Sequence, residues 1–306
     1  MKKSPIVATL LAAFCLIAAC TKKSDDANGE VIIDPPTYGD SSSCMLTNVT
    51  FTFDEHLPYF TDPVNLTYDA QGRITARVGY NLLTTYTYEP GQIVRRAYVN
   101  TTVAVDSLLV DKMVYTLDAN NRVTASNEAW YLFPESENDY SRKDSTINTY
   151  DEAGYLLRQK ILAYGTNLSE ELIFTYADGN LVQKEHIYYN YWSTGQSVKY
   201  GADTIKFTYN NTAWYPEARY LYEVGPGGYG GEIQLGRNNK NNVALIQLKK
   251  YDASDNQSAN NFKTIAYTYY PTGTKPVKVA VKSTNTKGDE MNTAINFTYK
   301  CDNTTK

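Results

Sequence analysis

Leu66-Thr67-Tyr68-Asp69-Ala70-Gln71-Gly72-Arg73-Ile74 is the stretch whose reading decides the fold. It is an alternating segment that ends in Tyr-Asp, passes through a short polar turn holding Gly, and resumes with a basic and an aliphatic residue. Asp at the turn entry accepts hydrogen bonds from backbone N–H groups two or more residues on. Gly supplies the positive φ that a tight reversal needs. Tyr68 and Ile74 then flank the turn and can share one face.

The unit recurs. Tyr115-Thr116-Leu117-Asp118-Ala119-Asn120-Asn121-Arg122-Val123 and Thr149-Tyr150-Asp151-Glu152-Ala153-Gly154-Tyr155-Leu156 are further copies, and Phe174-Thr175-Tyr176-Ala177-Asp178-Gly179-Asn180-Leu181 is a shorter one. Weaker copies follow Tyr88, Tyr209, Tyr251 and Tyr269. The spacing drifts, so the repeats are degenerate. Between the turns the chain alternates with period two, the antiparallel signature of a sheet with one polar face. Val49, Phe51 and Phe53 oppose Thr50 and Thr52; Ile74, Ala76, Val78 and Tyr80 oppose Thr75 and Arg77; Val277, Val279 and Val281 oppose Lys278 and Lys282. No segment carries a helical period.

This pattern predicts an all-β, antiparallel up-and-down meander of roughly 16–18 strands joined by hairpins. An open sheet of more than about ten strands curls or splits, so the expected form is a half-pipe or a barrel-like sheet. A membrane-inserted barrel needs an apolar lipid-facing band on every strand. Here one face carries Lys, Arg, Glu and Thr repeatedly, and the chain ends in Asp302-Asn303-Thr304-Thr305-Lys306. The expectation is therefore a barrel that is not inserted.

Composition agrees. The 306 residues include 28 tyrosines, enough to make Tyr the dominant aromatic of a pleated, half-buried surface. A phenol ring can bury its face while its hydroxyl keeps water or a partner. The formal charge of −4 falls to −6 once Lys2 and Lys3 are removed with a leader, which disfavours nucleic acid as a partner.

The N-terminus reads as an export signal. Lys2 and Lys3 precede an apolar run from Ile6 to Ile17, which ends in Ile17-Ala18-Ala19-Cys20. That ending has the form of a lipobox, with Cys20 as the lipidated residue, so residues 1–19 are expected to be a signal peptide. Residues 20–43 are too poor in apolar side chains to repay ordering and read as a lipidated tether. Residues 44–306 read as a single β domain. The lipid is then the expected membrane anchor.

Of the four cysteines, Cys15 leaves with the signal and Cys20 carries lipid. Cys44 precedes the first strand and Cys301 follows the last, in a compartment that permits disulfides. A bridge between them would staple the seam of a closed sheet. The other reading is two free, partly buried thiols.

The Tyr-Asp…Gly-Arg-Ile motif resembles the YD (Rhs-type) repeat. The whole layout resembles a family of Bacteroidetes lipoproteins of unknown function with a porin-like β fold. The resemblance spans about residues 45–300, is most specific at Leu66–Ile74 and Thr149–Leu156, and weakens after Tyr209. It implies fold and location and carries no catalytic residues. Ser24-Asp25-Asp26 resembles the short acidic signal that sends such lipoproteins to the outer face of the outer membrane. The expected location is the outer membrane, surface-exposed, with a periplasm-facing orientation as the alternative. Asp106-Ser107-Leu108, Asp144-Ser145-Thr146 and Asp203-Thr204-Ile205 resemble O-glycosylation sites of the same bacteria.

Sites for chemistry are sparse. His56 and His186 sit in no ligand-spaced cluster, so no metal is expected. No Gly-x-Ser-x-Gly, His-Glu-x-x-His or reactive-cysteine context occurs, and Gly225–Gly231 lacks the Lys-Ser/Thr of a phosphate loop. No cofactor and no catalytic residue is expected. The binding candidates are aromatic. Tyr188, Tyr189, Tyr191 and Trp192 run into a polar loop from Ser193 to Gly201, and Trp214 and Tyr215 precede Pro216. Such rings can stack on sugars or on a partner's side chains, or they can simply pack over the rim of a wide sheet. The leading expectation is a non-enzymatic, lipid-anchored binding protein, with glycan capture first. A structural or adhesin-type envelope protein and a carbohydrate-active hydrolase are the rivals.

Overall fold

The structure is a computed structural model. It describes residues 44–53, 63–79, 82–99, 108–131, 141–190, 197–215, 235–249, 262–273, 275–285 and 287–301. The expected signal peptide, the tether with Cys20, and the glycine-rich Gly225–Gly231 lie outside the described residues.

The chain is an all-β antiparallel meander. Its strands are β1 Cys44–Phe53, β2 Val64–Tyr68, β3 Ile74–Gly79, β4 Leu82–Glu89, β5 Gln92–Val99, β6 Leu108–Leu117, β7 Val123–Trp130 and β8 Arg142–Tyr150, followed by β9 Leu156–Ala163, β10 Asn167–Ala177, β11 Asn180–Asn190, β12 Val198–Ala213, β13 Asn241–Lys249, β14 Phe262–Thr272, β15 Lys275–Asn285 and β16 Glu290–Cys301. Each strand pairs with its neighbours in sequence, and β1 pairs with β16, so the sixteen strands form a closed barrel. Of the two curled forms expected, the sheet takes the closed one. Closure runs from Cys44 opposite Cys301 to Phe53 opposite Thr293, and a disulfide joins Cys44 to Cys301.

The Tyr-Asp turns all lie at one rim, here called the turn rim. Their construction repeats. The Asp69 Oδ1 accepts the N–H of Gln71 at 3.0 Å and of Arg73 at 2.8 Å, while Oδ2 accepts Arg73 Nε at 2.7 Å. Asp118 takes Asn120, Arg122 and the Arg122 Nε at 2.9, 2.8 and 2.7 Å. Asp151 accepts the N–H of Tyr155 at 2.8 Å. Gly72 has φ 76°, and Asn121 takes the equivalent place with φ 59°, the left-handed region that Gly and Asn tolerate.

Each of these turns is followed by a β-bulge that resets the alternation. Tyr68 pairs with Ile74 but Thr67 with Ala76, so Thr75 is the extra residue. Leu117 pairs with Val123 and Thr116 with Ala125; Tyr150 pairs with Leu156 and Thr149 with Arg158. An extra residue shifts every later side chain to the other face. This corrects the face expected for β3 and the inward place expected for Val277 on β15. Ile74 is 4% exposed, whereas Val78 is 41% exposed, because Arg77 takes the inward position instead. Val277 is likewise exposed while Val279 is buried, since a bulge between Tyr270 and Pro271 sets Pro276 inward. The Val49 and Phe51 face keeps its predicted phase; Tyr80 lies outside the described residues.

The tyrosines then fasten one hairpin to the next. Tyr68 donates its hydroxyl to the Leu46 carbonyl at 2.6 Å, Tyr88 to Ile74 at 2.9 Å, Tyr150 to Val123 at 2.8 Å, Tyr209 to Leu181 at 2.5 Å and Tyr299 to Pro276 at 2.8 Å. Arg73 lies over the Tyr88 ring at 4.3 Å and Arg122 over Tyr150 at 5.3 Å, a cation–π cover for each ring. Burial pushes the Tyr150 and Tyr209 phenols well above their ordinary range, so both stay neutral donors.

The turn-rim half of the interior is packed. Leu46, Ile93, Val123, Leu156, Leu181, Val243 and Val279 belong to one contiguous apolar cluster with Phe174, Phe207 and Phe297. The segment Leu235–Lys240 lies across this end. Leu235 and Gly236 are buried, the Arg237 N–H donates to the Gly154 carbonyl at 2.9 Å, and the Lys240 N–H donates to Gly179 at 2.9 Å. Gly236 has φ 76°, and a Cβ there would sit 2.9 Å from the Leu156 nitrogen, so only glycine fits the approach.

Outside, a lateral row paired strand to strand reads Thr175, Gln183, Lys206, Gln247, Thr264, Thr284 and Glu290. A lipid-facing belt has apolar residues at such positions.

The turn aspartates set an acid limit. Burial alone would raise Asp69 and Asp118, but the backbone N–H and guanidinium of Arg73 and Arg122 outweigh it and hold both carboxyls below 3.8. A carboxyl depressed in the fold stabilises it above the unfolded pKa, and that contribution is lost as pH falls through the folded value. The thermal midpoint is therefore expected to fall steeply on acidification below about pH 4. An Asp69→Asn/Asp118→Asn double variant should start lower and fall less. Identical acid profiles for variant and parent would refute this role.

Candidate ligand-binding rim

At the opposite rim, here called the loop rim, the inward side chains of β5 to β12 include charged, polar and aromatic groups. The register places Asp111, Trp130 and Arg142 side by side on β6, β7 and β8. One step deeper, Arg95, Met113, Glu128 and Asp144 are neighbours. Arg95 is ion-paired with Asp111 and lies 3.6 Å from Glu128. Arg142 grips Asp144 through Nε at 3.0 Å and through a terminal nitrogen at 2.7 Å. The Tyr164 N–H adds a bond to Asp144 at 3.1 Å, and the Arg142 guanidinium lies 5.7 Å from the Tyr164 ring centre. Burial pushes Glu128 up; Arg95 and Arg142 oppose this, and Asp144 adds to it. Trp130 itself is 45% exposed.

Three strands further round, a second group lines the same wall. Tyr188 pairs with Glu170 on β10 and Gly201 on β12, and His186 pairs with Asp203. The His186 Nε2 is 2.7 Å from Glu170, and the Tyr188 hydroxyl donates to Asp203 at 2.9 Å while standing 3.2 Å from His186 Nδ1. The Tyr200 ring is 6.0 Å from Tyr188 and is largely exposed. Among the described residues no three His, Cys, Asp or Glu converge as a metal site.

The aromatics singled out from sequence divide between the two ends. Tyr188 belongs to the loop rim, whereas Tyr189 points outward and donates to Glu171 at 3.1 Å. Tyr191 and Trp192 lie outside the described residues. Part of the expected polar loop is strand, since β12 starts at Val198. Trp214 and Tyr215 sit at the turn rim, packed against the apolar cluster. The Tyr215 N–H donates to Asn242 at 2.9 Å, and its ring lies 5.8 Å from Tyr269. Those two rings close the packed end and cannot share a ligand with Tyr188. Asp144 and Asp203, from two of the glycosylation-like triplets, are inward members of this rim; the Asp106 triplet is outside the described residues apart from Leu108. Sequence reasoning passed over Trp130 and its charged neighbours. The signal was there as Glu128-Ala129-Trp130 at a strand end, but no spacing links it to Arg95, Asp111 or Arg142 without the register.

A closed sixteen-strand antiparallel barrel with a polar-lined rim defines a porin-like fold. No family model matches the chain, and no curated protein matches it. Among solved structures, a porin-like protein from Bacteroides uniformis is similar over 83% of this chain and 98% of its own, with a TM-score of 0.53 at 12% identity. A porin-like protein from Bacteroides vulgatus is similar over the same shares, with a TM-score of 0.52 at 15% identity. At these identities the likeness is one of fold.

Proposed function

We propose that this protein is an exported, lipid-anchored, non-enzymatic binding protein of the outer membrane that captures glycan at the loop rim of a barrel standing outside the lipid. The observation that carries the reading is that exposed aromatic faces, Trp130 at the end of β7 and Tyr200 beside Tyr188, share one rim with fixed charged side chains. Aromatic faces stack on the apolar faces of sugar rings, and the charged groups serve the hydroxyls. The contiguous apolar cluster at the turn-rim half supports capture rather than passage, since apolar side chains occupy its inward positions. The polar outer row supports a lipid tether at Cys20 as the anchor.

The test is a broad glycan array with the purified protein, a Tyr188→Ala/Tyr200→Ala variant and a Tyr270→Ala control. Binding is expected for the parent and the control and lost or weakened in the double variant. A blank array, or binding indifferent to the double variant, would count against glycan capture at this rim.

A further inference from the structure

Resting on that reading, we infer that the β6–β8 wall is a subsite for one neutral pyranose ring, with Trp130 as its stacking plate, and that it discriminates against uronic acids. Trp130 is the inward residue at the end of β7, between Asp111 and Arg142, and nearly half of it is open. Glu128, two residues back, shares its face of β7, which places a carboxylate beside the ring position. Arg142 is half exposed, yet its orientation is fixed by two bonds to Asp144. A guanidinium fixed in one plane and half open to solvent is a well-oriented partner for polar groups.

The layer beneath is short of partners. Asp111 is buried and its Oδ1 accepts no hydrogen bond; Arg95, paired with it, has a buried Nε that donates none. One unmet acceptor and one unmet donor stand in the same pair. A hydroxyl, which donates and accepts at once, matches that demand, directly or through one bridging water. A carboxylate can only accept. Three carboxylates, Asp111, Glu128 and Asp144, face two guanidinium groups, Arg95 and Arg142, so the wall is net negative. A uronate would bring a like charge into it, which costs affinity.

The experiment is calorimetric titration of the whole purified protein with neutral gluco-, manno- and galacto-oligosaccharides and with an oligogalacturonate of equal length, at low salt. At least one neutral oligosaccharide is expected to bind, more tightly than the uronate. Trp130→Ala should weaken it by about ten-fold or more. Trp130→Phe should recover part of the loss, and Tyr270→Ala, on the outer face, should change nothing. Thermal midpoints confirm that each variant is folded. Neutral binding indifferent to Trp130→Ala but lost in Tyr188→Ala/Tyr200→Ala would overturn the subsite and leave glycan capture standing. Preference for the uronate would overturn the specificity. Failure of every saccharide to bind, here and on the array, would overturn both.

Discussion

Replacing both Cys44 and Cys301 with Ser is expected to lower the unfolding free energy by about 5 kcal/mol, the chain-entropy value for a loop this long. The bridge spans 257 residues and joins the first strand to the last. It acts where the barrel most needs it. Among the described residues the β1–β2 ladder has two register pairs, Asn48 with Asn65 and Val49 with Val64, beside the Tyr68 hydroxyl bond to Leu46, whereas the β1–β16 ladder has nine, so β1 is held mainly by β16. Lys275 adds one contact there, donating from Nζ to the Cys44 carbonyl at 2.7 Å. Urea titration of parent and double variant measures the effect through the midpoint. The slope should also rise in the variant, because an uncrosslinked unfolded chain exposes more surface. A loss below about 1 kcal/mol would mean that the β1–β16 ladder closes the barrel unaided.

Two adjacent leucines give the second large effect. Leu156 is 0% exposed and Leu157 is 37% exposed. The bulge after the Asp151 turn separates them: Leu156 pairs with Tyr150 and enters the apolar cluster, while Leu157 is the extra residue turned outward. Leu156→Ala should therefore cost about 2–5 kcal/mol, the range for a cavity in a packed core. Leu157→Ala should stay within about 0.5 kcal/mol of the parent. The backbone of Leu156 also supports Gly236, so its truncation should loosen the Leu235–Lys240 segment, visible as faster amide exchange at Arg237 and Lys240. Similar costs for the two leucines would refute the bulge as the device that sets the inner face.

How much was legible follows from the range of each signal. The hairpin turns were readable because their chemistry is local: Asp69, Asp118 and Asp151 cap backbone groups two to four residues on. The inner face of β1 was readable because its alternation is unbroken from Val49 to Phe51. The face of β3 was misread because one extra residue at Thr75 inverts the alternation without changing composition; on β15 only Val277, the extra residue of its bulge, was misplaced, and Val279 and Val281 face inward as expected. The binding rim was readable only in Tyr188. Trp214 and Tyr215 look in sequence like exposed loop aromatics, but the Leu235–Lys240 segment and the apolar cluster claim that end.

The sequence by itself determined the all-β class, the hairpin repeats and the approximate number of strands, because these rest on period two and on turn residues within a few positions of one another. Tertiary structure alone decided closure, the inward phase of each strand after its bulge, and which aromatic rings remain open. Those depend on lateral register between strands, and register brings together residues such as Arg95, Asp111, Glu128 and Arg142 whose sequence spacing carries no sign of it.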